Sequence, residues 1–445
     1  MASSSILLRF LLLASCLLSG VWVLIAERVL FYQSNESTDT DDPRFLPQWI
    51  EDYISWHRRM RIQFPGTSLV TDPDAPPLLV KTCLGLCGGL VDRLGSLPLD
   101  LYLANQTKRV LLILWIKPQP LEEFLIPPSN GLDWTFPSGV EGWGTGCRTL
   151  NECMKQVRAH PNIENVGGER EEANKDFGAF IEQSIRRLNE GEYKDGKAVT
   201  FTVVGHLNED YLESKLAELG ETDLIHTTSS FGRIFDRFFT PHPNIQNEID
   251  ESNELMGLTS GKYSVVHCRV RHPQAYAQGD TFNGEISLQQ KGRETFDFVG
   301  RFKEIAIGTA SKAIQCAVSL LPNVAGQPIY FMSDSSDLVT YMTESEIAAN
   351  ASAQERLARS YNVVARNQNI TNAHIDKNKG RPAEAYYATF VDLYLAMNAR
   401  CISFGVGNYA AFAGKLSGTK CTVRYAKEFW GNQDRKFHKS AEECH

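Results

Sequence analysis

Histidine and arginine alternate at the end of an apolar run near the middle of the chain. The run Tyr263 to Val266 leads into His267, Arg269 and Arg271. Because successive side chains of a β-strand point to opposite faces, these three side chains share one face. A guanidinium suits phosphate, since its planar fork donates two hydrogen bonds. The pattern therefore predicts an anion site where a strand ends.

The same basic cluster has a second interpretation, a solvated edge that pairs with nearby acids. A histidine such as His267, taken alone, is more often a core residue whose hydrogen bonds are satisfied. The position favours a ligand, because ligands of open α/β sheets usually bind outside the carboxyl ends of the strands. The net charge of −8 argues against nucleic acid as that ligand, since nucleic-acid-binding proteins usually carry a basic stripe.

A glycine-rich turn with Gly88 and Gly89 lies between a predicted strand and a predicted helix. Glycine allows positive φ and close approach of the backbone to a ligand, and the helix N-terminus behind it favours negative charge. The turn matches neither the dinucleotide fingerprint nor a P-loop. Its second interpretation is a structural turn in which Asp92 caps the helix and Arg93 is solvated.

Polar residues also follow two further predicted strands. They are Asp334 and Ser335 after one strand, and Gly405, Gly407 and Asn408 after the other. Hydroxyls, carboxylates and backbone amides at strand ends can bind ribose, base edges or phosphate. Capping is the alternative: Ser335 or Ser336 would cap the next helix, and Asp392, on the helix before the second strand, would interact with a helix dipole.

Other catalytic patterns are absent from the sequence. It contains no nucleophile elbow, no H-E-x-x-H and no D-x-D flanked by apolar strand residues. Cys83 and Cys87 have the spacing of half a metal site, but no second pair or histidine cluster accompanies them. A disulfide or two buried thiols explains them better, so no metal centre is predicted.

Strands and helices alternate along most of the chain, which predicts an α/β fold with parallel sheets of Rossmann type. In the first half the predicted strands are 77–83, 109–115 and 198–204, with helices at 45–64, 93–104, 171–189, 209–219 and 231–239. In the second half the predicted strands are 263–269, 328–333, 361–366, 401–404 and 421–425, with helices at 296–320, 345–357, 387–399 and 408–416. The polar stretch 241–260 is interpreted as a domain junction, and the two halves would enclose an interdomain cleft.

In this order the motifs resemble those of the fucosyltransferase superfamily, which includes α-1,2- and α-1,6-fucosyltransferases and protein O-fucosyltransferases. The resemblance spans roughly residues 80 to 425. It is carried by Gly88 to Arg93, by His267 to Arg271, by Ser333-Asp334-Ser335, and by the Asp392 helix followed by Gly405-x-Gly407. It implies a GT-B-like fold and an inverting enzyme that uses GDP-fucose as donor, usually without an essential metal.

The resemblance also implies roles for individual residues. Arg269 would grip the β-phosphate and stabilise the GDP leaving group. The other donor-binding residues would be Gly88, Gly89, His267, Arg271, Asp334, Ser335, Asp392, Gly405, Gly407 and Asn408, with His267, Asp334 and Asp392 on guanine or ribose and the 405–408 turn on phosphate. A general base would deprotonate the acceptor hydroxyl, and Asp92, Asp280 and Glu285 are the alternatives.

Three positions depart from the family pattern. Val91 stands where the family loop usually has a further glycine, and Val270-Arg271-His272 replaces the usual strand ending. Gly407-Asn408 stands where many members carry hydroxyl residues. Two alternatives remain open: a GT-B glycosyltransferase that uses another nucleotide sugar, and a non-catalytic protein that binds glycans or nucleotides. The expected partners are a nucleotide sugar and a glycan or glycoprotein acceptor.

The N-terminus is predicted to lie outside the globular part. Phe10 to Ala26 is a nearly continuous apolar run preceded by Arg9. The hydrophobic stretch approaches the roughly 20 residues that span a bilayer, and the cation favours a cytoplasmic N-terminus. This favours an uncleaved signal anchor over a cleaved signal peptide. The predicted regions are the anchor at 1–28, a flexible stem at 29–45, an acceptor-side domain at 46–258 and a nucleotide-sugar-binding domain at 259–445.

Both interpretations of the N-terminus place the rest of the chain in a secretory lumen, and the expected protein is a single-pass type II protein of the Golgi or ER membrane. Glycosylation acceptors occur at Asn35, Asn105, Asn350 and Asn369. Some of the nine cysteines beyond the anchor should pair in an oxidising lumen. Cys268 and Cys401 lie in apolar strand contexts and are predicted to be buried free thiols.

Overall fold

Two parallel β-sheets, one in each half of the chain, form the framework of the described part of the molecule. The computed structural model of the protein describes residues 46–83, 89–115, 117–140, 163–166, 186, 198–201, 228–270, 300–319, 326–344, 351–366, 375, 381–405, 407–419, 421–425 and 442–443. They belong to one compact unit, Leu46–His445. The predicted anchor and stem lie outside these residues, and no described helix has the length and apolar composition needed to cross a bilayer.

The elements of the two halves alternate as the sequence predicts. The first half contains α1 (Gln48–Gln63), α2 (Ser68–Thr71), β1 (Leu78–Cys83), α3 (Leu90–Leu94), α4 (Leu97–Gln106), β2 (Val110–Trp115), a 3-10 turn (Leu121–Glu123), β3 (Leu125–Ile126), β4 (Ile163–Val166), β5 (Ala198–Phe201), α5 (Thr228–Phe238), β6 (Thr240–Pro241) and α6 (Pro243–Met256). The second half contains β7 (Ser264–Cys268), α7 (Gly300–Ser319), β8 (Ile329–Ser333), α8 (Ser336–Thr343), α9 (Ala353–Arg359), β9 (Val363–Val364), α10 (Glu384–Met397), β10 (Cys401–Phe404), α11 (Tyr409–Ser417), β11 (Thr422–Arg424) and β12 (Glu442–Glu443). The predicted α/β class with parallel sheets is confirmed. The predicted helix 209–219, and all of the predicted helix 171–189 except the helical residue 186, lie outside the described residues.

The first sheet has the strand order β2-β1-β5-β4, and all of its pairings are parallel. Every residue of β2 is buried, as expected of a parallel strand that is covered on both faces. The chain steps from β1 to β2 on one side and later returns to the other side of β1 as β5. This reversal places a crevice beside the carboxyl end of β1, where the turn with Gly89 follows.

The second sheet has the order β12-β11-β10-β7-β8-β9, again with parallel pairing throughout. From β7 the chain moves to β8 and β9 on one side, and it then crosses to β10, β11 and β12 on the other. The direction of the connections therefore reverses between β7 and β10. In open α/β sheets such a switch point opens a ligand-binding crevice outside the carboxyl ends of the strands.

Two stretches of the first half have helices that differ from the sequence interpretation. The polar stretch 241–260, interpreted as a domain junction without a helix of its own, contains helix α6, which begins after His242 and is followed by Gly257 with φ +62. Only Ile245 and Ile249 of α6 are buried. They have helical spacing, but two apolar residues in a polar stretch are too few to give a recognisable helical pattern. The predicted helix 93–104 is two helices, α3 and α4, separated at Gly95 and Ser96.

The predicted helix 345–357 is confirmed only at its end. Helix α9 (Ala353–Arg359) covers that end, a separate helix α8 (Ser336–Thr343) precedes the region, and residues 345–350 lie outside the described part of the chain. Each helix has a serine N-cap: the hydroxyl of Ser335 accepts a hydrogen bond from the Leu338 amide, and that of Ser352 accepts one from the Glu355 amide. Serine at an N-cap starts a new helix because its side chain satisfies an amide that has no partner within the helix.

One of the two cysteine predictions is confirmed and the other is wrong. Cys268 is a buried free thiol, but Cys401 forms a disulfide with Cys421. The pairing of β10 with β11 places Ile402 opposite Thr422, so the two cysteines that precede them also lie side by side, with their Cα atoms 4.7 Å apart. That separation is within the range that a disulfide bridges.

Aromatic and helix contacts join the two halves in one core. The ring of Phe124 stacks on that of Phe390 with centroids 4.6 Å apart, and Phe231 packs edge-on against Phe412. Helices α5 and α11 cross at Gly232, where a Cβ atom would lie 1.9 Å from the carbonyl oxygen of Leu416. The absence of a side chain at Gly232 therefore sets how closely these two helices approach.

Replacing Gly232 with alanine should force α5 and α11 apart. Overpacking of this kind costs typically about 1 to 3 kcal/mol in the free energy of unfolding. Gly308 provides the matched control, because it lies in α7 and a Cβ atom there would meet nothing within 4 Å. Gly308→Ala should stabilise the protein by about 0.4 to 1 kcal/mol. Urea unfolding of both variants measures the difference, and equal effects would contradict the close crossing.

Candidate functional site

Arg269 lies directly after β7, at the switch point of the second sheet, and its side chain is 30% exposed. Asp334 lies directly after the neighbouring strand β8. One carboxylate oxygen of Asp334, Oδ1, accepts a hydrogen bond of 2.8 Å from the Val270 amide, and Oδ2 lies 4.0 Å from Nε of Arg269. The prediction that these two residues lie together at strand ends is therefore correct in position, and Asp334 fixes the path by which the chain leaves β7.

The two serines beside Asp334 have structural roles in the described residues. Ser333 donates a hydrogen bond of 2.6 Å to the carbonyl oxygen of Cys268, which ties β8 to β7. Ser335 is buried and caps α8. The capping interpretation of Ser335 is thus confirmed, while its proposed contact with a donor stays a prediction.

The glycines after β10 make room for two large side chains. A Cβ atom on Gly405 would lie 2.5 Å from the ring of Tyr425, whose hydroxyl donates a 2.8 Å hydrogen bond to the carbonyl oxygen of His267. Gly407 has φ +90, a conformation that L side chains rarely adopt, and a Cβ atom there would lie 2.7 Å from Nη1 of Arg269. Steric demands of the neighbouring side chains therefore explain both glycines.

His267 is buried beside the ring of Tyr409, with the ring centroids 5.6 Å apart. Burial, and to a smaller extent the charge of Arg269, lowers the pKa of His267 to about 3. A buried imidazole without a carboxylate partner is neutral at physiological pH because desolvation disfavours its charged form. His267 can therefore offer hydrogen bonds to a ligand but adds no positive charge to the site.

Asp392 is buried on α10 and belongs to a polar network that the sequence did not predict. Its Oδ1 atom accepts hydrogen bonds from the hydroxyl of Tyr330 at 2.7 Å and from Nε of Arg366 at 2.8 Å. Burial raises the pKa of Tyr409, and the charge of Asp392 raises it further, which places this network next to the Tyr409 ring that contacts His267. Arg366 is the last residue of the predicted strand 361–366 and follows the observed strand β9, so a cation at a strand end is the signal that could have identified it.

The glycine turn of the first half leads into α3, which contacts α11 after the Gly405–Asn408 turn. The Gly89 amide donates a 2.7 Å hydrogen bond to Oδ2 of Asp92, so the capping interpretation of Asp92 is confirmed. Arg93 is not solvated, as that interpretation expected, but buried. Its guanidinium lies 4.8 Å from the ring centroid of Trp115 and donates to the Lys117 carbonyl oxygen.

Several predicted residues lie outside the described part of the chain. They are Gly88, Arg271, Asp280 and Glu285 of the site and the glycosylation acceptors Asn35, Asn350 and Asn369. Asn105 is half-buried near the end of α4, and Asn408 is half-buried at the start of α11. Among the described residues no cluster of histidine, cysteine or acidic side chains is arranged to hold a metal ion.

Known structures similar to this chain include three fucosyltransferases, the superfamily that the sequence resembles. An arginine-to-lysine mutant of Arabidopsis thaliana FUT1 in complex with GDP has a TM-score of 0.49 and 12% identity, covering 88% of this chain and 82% of that chain. The NodZ α-1,6-fucosyltransferase of Bradyrhizobium, soaked with GDP-fucose, has a TM-score of 0.39 and 14% identity, covering 79% and 95%. POFUT1 in complex with GDP has a TM-score of 0.41 and 11% identity, covering 79% and 98%. No protein-family model and no curated protein matches the sequence.

Removing the Arg366 cation should strongly destabilise the protein. In an Arg366→Met variant the buried Asp392 loses its counter-ion, and breaking a buried ion pair costs about 3 to 5 kcal/mol. Arg61 provides the matched control. Its Nε atom also lies 2.8 Å from a carboxylate oxygen, that of Asp133, but the Asp133 side chain is 43% exposed. Arg61→Met should cost at most about 1 kcal/mol. Chemical denaturation compares the two variants, and an equal loss would contradict the burial of the Arg366 pair.

Acidification should destabilise the protein through His267. The unfolded histidine has a pKa of about 6.5, so between that value and about 3 the unfolded chain binds a proton that the folded site excludes. The free energy of unfolding should therefore fall with decreasing pH in this window, by up to about 1.4 kcal/mol per pH unit for one such group. His267→Gln should make the decrease shallower in denaturation curves measured between pH 7 and 5.

A second buried histidine, His57 on α1, provides the comparison for the pH dependence of His267. Burial lowers the pKa of His57 to about 4, so His57→Gln should also flatten the profile, and the effects of the two substitutions should add. A His267→Gln profile that is parallel to the wild type would show that His267 is protonated in the folded protein.

Proposed function

We propose that this protein is an inverting glycosyltransferase that transfers fucose from GDP-fucose to a hydroxyl group of a glycan or protein acceptor. The observation that carries the proposal is the position of Arg269. It is a partly exposed guanidinium at the switch point between β7 and β10 of a parallel sheet, where the fold opens a crevice. The identity of the donor rests on the order of the sequence motifs.

The chemistry expected of Arg269 is the stabilisation of a leaving group. When the bond between fucose and the β-phosphate breaks, negative charge develops on the phosphate oxygens. A guanidinium placed in advance where this charge appears lowers the barrier, often by the largest single contribution in an enzyme. Arg269 donates no hydrogen bond to another described residue, and the carboxylate atom nearest to it in the described part of the chain is 4.0 Å away. Toward these residues its donors are available to a phosphate.

Inversion requires the acceptor oxygen to attack from the face opposite the departing GDP while a base removes its proton. The base stays open among Asp92, Asp280 and Glu285. Asp92 uses one carboxylate oxygen to accept a hydrogen bond from the Gly89 amide. It is half-buried on α3, a helix that contacts α11.

We further propose that the described residues lie in the lumen of the Golgi or ER, behind an N-terminal signal anchor. The apolar run before the stem supports the anchor. The disulfide between Cys401 and Cys421 supports an oxidising compartment, because such bonds rarely persist in the cytosol.

Titration with GDP, UDP and ADP tests the donor. The purified protein should bind GDP in preference to the other two nucleotides in calorimetry. Arg269→Ala should weaken GDP binding and reduce fucose transfer by about a hundredfold or more, as the loss of a preorganised charge-stabilising group does. Preferential binding of UDP would instead favour a glycosyltransferase with another nucleotide sugar.

Arg356→Ala is the control for a general loss of positive charge, because Arg356 is exposed on α9. It should hydrolyse and transfer GDP-fucose as the wild type does. The same donor-hydrolysis assay compares the wild type with Arg269→Ala, and equal rates in these two proteins would exclude Arg269 from catalysis. Nucleotide binding without any turnover would favour a non-catalytic binding protein.

A further inference from the structure

The backbone of Gly407 forms part of the surface on which the Arg269 side chain rests. A Cβ atom on Gly407 would lie 2.7 Å from Nη1 of Arg269 and 3.2 Å from its Cδ atom. Real Cβ atoms do not approach other heavy atoms this closely, so any side chain at position 407 must displace the arginine or the turn. With φ +90, the turn itself also requires glycine.

Asp334 lies beside Arg269 on the adjacent strand. Strand β7 is flanked by β10, which leads into Gly407, and by β8, which leads into Asp334. The carboxylate of Asp334 is held by the Val270 amide at 2.8 Å and keeps a 4.0 Å separation from Nε of Arg269. Attraction over that distance orients the guanidinium without using its hydrogen bonds, and contact with Gly407 limits where its other end can lie.

We infer that Gly407 is a positioning residue, which acts on the phosphate through Arg269. This inference rests on the proposed function. According to this inference, Gly407 leaves space for the guanidinium of Arg269, and its own backbone amide does not contact the phosphate.

The two roles of Gly407 differ in how they depend on Arg269. If the glycine acts by admitting the guanidinium, a methyl group at position 407 weakens anion binding only while that guanidinium is present. If the glycine acts by its own backbone amide, the methyl group weakens binding whichever side chain occupies position 269. A double-mutant cycle separates the two cases because it isolates the interaction between two positions.

Pyrophosphate and GDP serve as probes in calorimetric titrations of the full chain. Gly407→Ala should weaken pyrophosphate binding by about tenfold or more. In an Arg269→Lys background, which keeps a cation but lacks the Nη1 atom, adding Gly407→Ala should change the affinity by less than about twofold. An unchanged pyrophosphate affinity in Gly407→Ala would overturn the inference, and so would an equal loss in both backgrounds.

Gly326→Ala is the matched control for backbone strain. Gly326 has φ +96, and a Cβ atom there would meet nothing within 4 Å. The midpoint of thermal unfolding of the Gly326→Ala variant should fall about as much as that of Gly407→Ala. The pyrophosphate affinity of Gly326→Ala should equal that of the wild type. A loss of affinity in Gly326→Ala equal to that in Gly407→Ala would trace the effect to strain and overturn the inference.

The two probes separate this inference from the proposed function. If the wild type binds pyrophosphate but not GDP, the nucleotide assignment fails, and the mutant cycle with pyrophosphate still decides the role of Gly407. If the wild type binds GDP and Gly407→Ala binds it equally well, the function stands and the inference fails. If the wild type binds neither probe, both fail.

Discussion

The parallel pairing of β7 with β10 on one side and β8 on the other decides where the charged groups of the site lie. His267 is aligned with Phe404 of β10 and with Met332 of β8. This register makes the three strands end at the same level. The residues that follow them, Arg269, Asp334 and Gly407, are therefore neighbours although they are far apart in sequence. A shift of one residue in either pairing would turn these side chains to the opposite face of the sheet.

Contacts within the protein hold the same three strand ends in place, and none of these contacts involves a ligand. Ser333 bonds to the carbonyl oxygen of Cys268, and the amide of Val270 bonds to Asp334. On the other side, Tyr425 bonds to the carbonyl oxygen of His267 and packs against the backbone of Gly405. The strand ends are thus fixed by contacts within the protein, and a site fixed in advance reduces the ordering that binding requires.

The sequence was sufficient for features that depend on local pattern. Apolar runs bounded by turns located the main strands of both sheets, and the positions of Arg269 and Asp334 after such runs placed both at a sheet edge. Features that depend on register were not predictable in this way. Cys401 was expected to be a free thiol because its context is apolar, and only the alignment of β10 with β11 brings it to Cys421.

The buried network of Asp392 was missed for the same reason. Its partners Tyr330 and Arg366 come from β8 and from the end of β9, two strands whose pairing is not encoded in either segment alone. Composition also misled at α6, where two buried isoleucines stabilise a helix whose remaining surface is polar. In each case a contact between distant segments, rather than a local preference, decides the structure.

Two arginines of the second half show how one side chain type can serve structure at one place and chemistry at another. Arg366 is 13% exposed and lies 2.8 Å from a carboxylate that is 3% exposed, so the pair satisfies itself and stabilises the fold. Arg269 is 30% exposed, and its carboxylate neighbour is 4.0 Å away and 25% exposed. Water weakens the attraction at that distance, so the donors of the guanidinium stay available to an incoming anion. Of these two cations, Arg269 alone has the surroundings that phosphate binding requires.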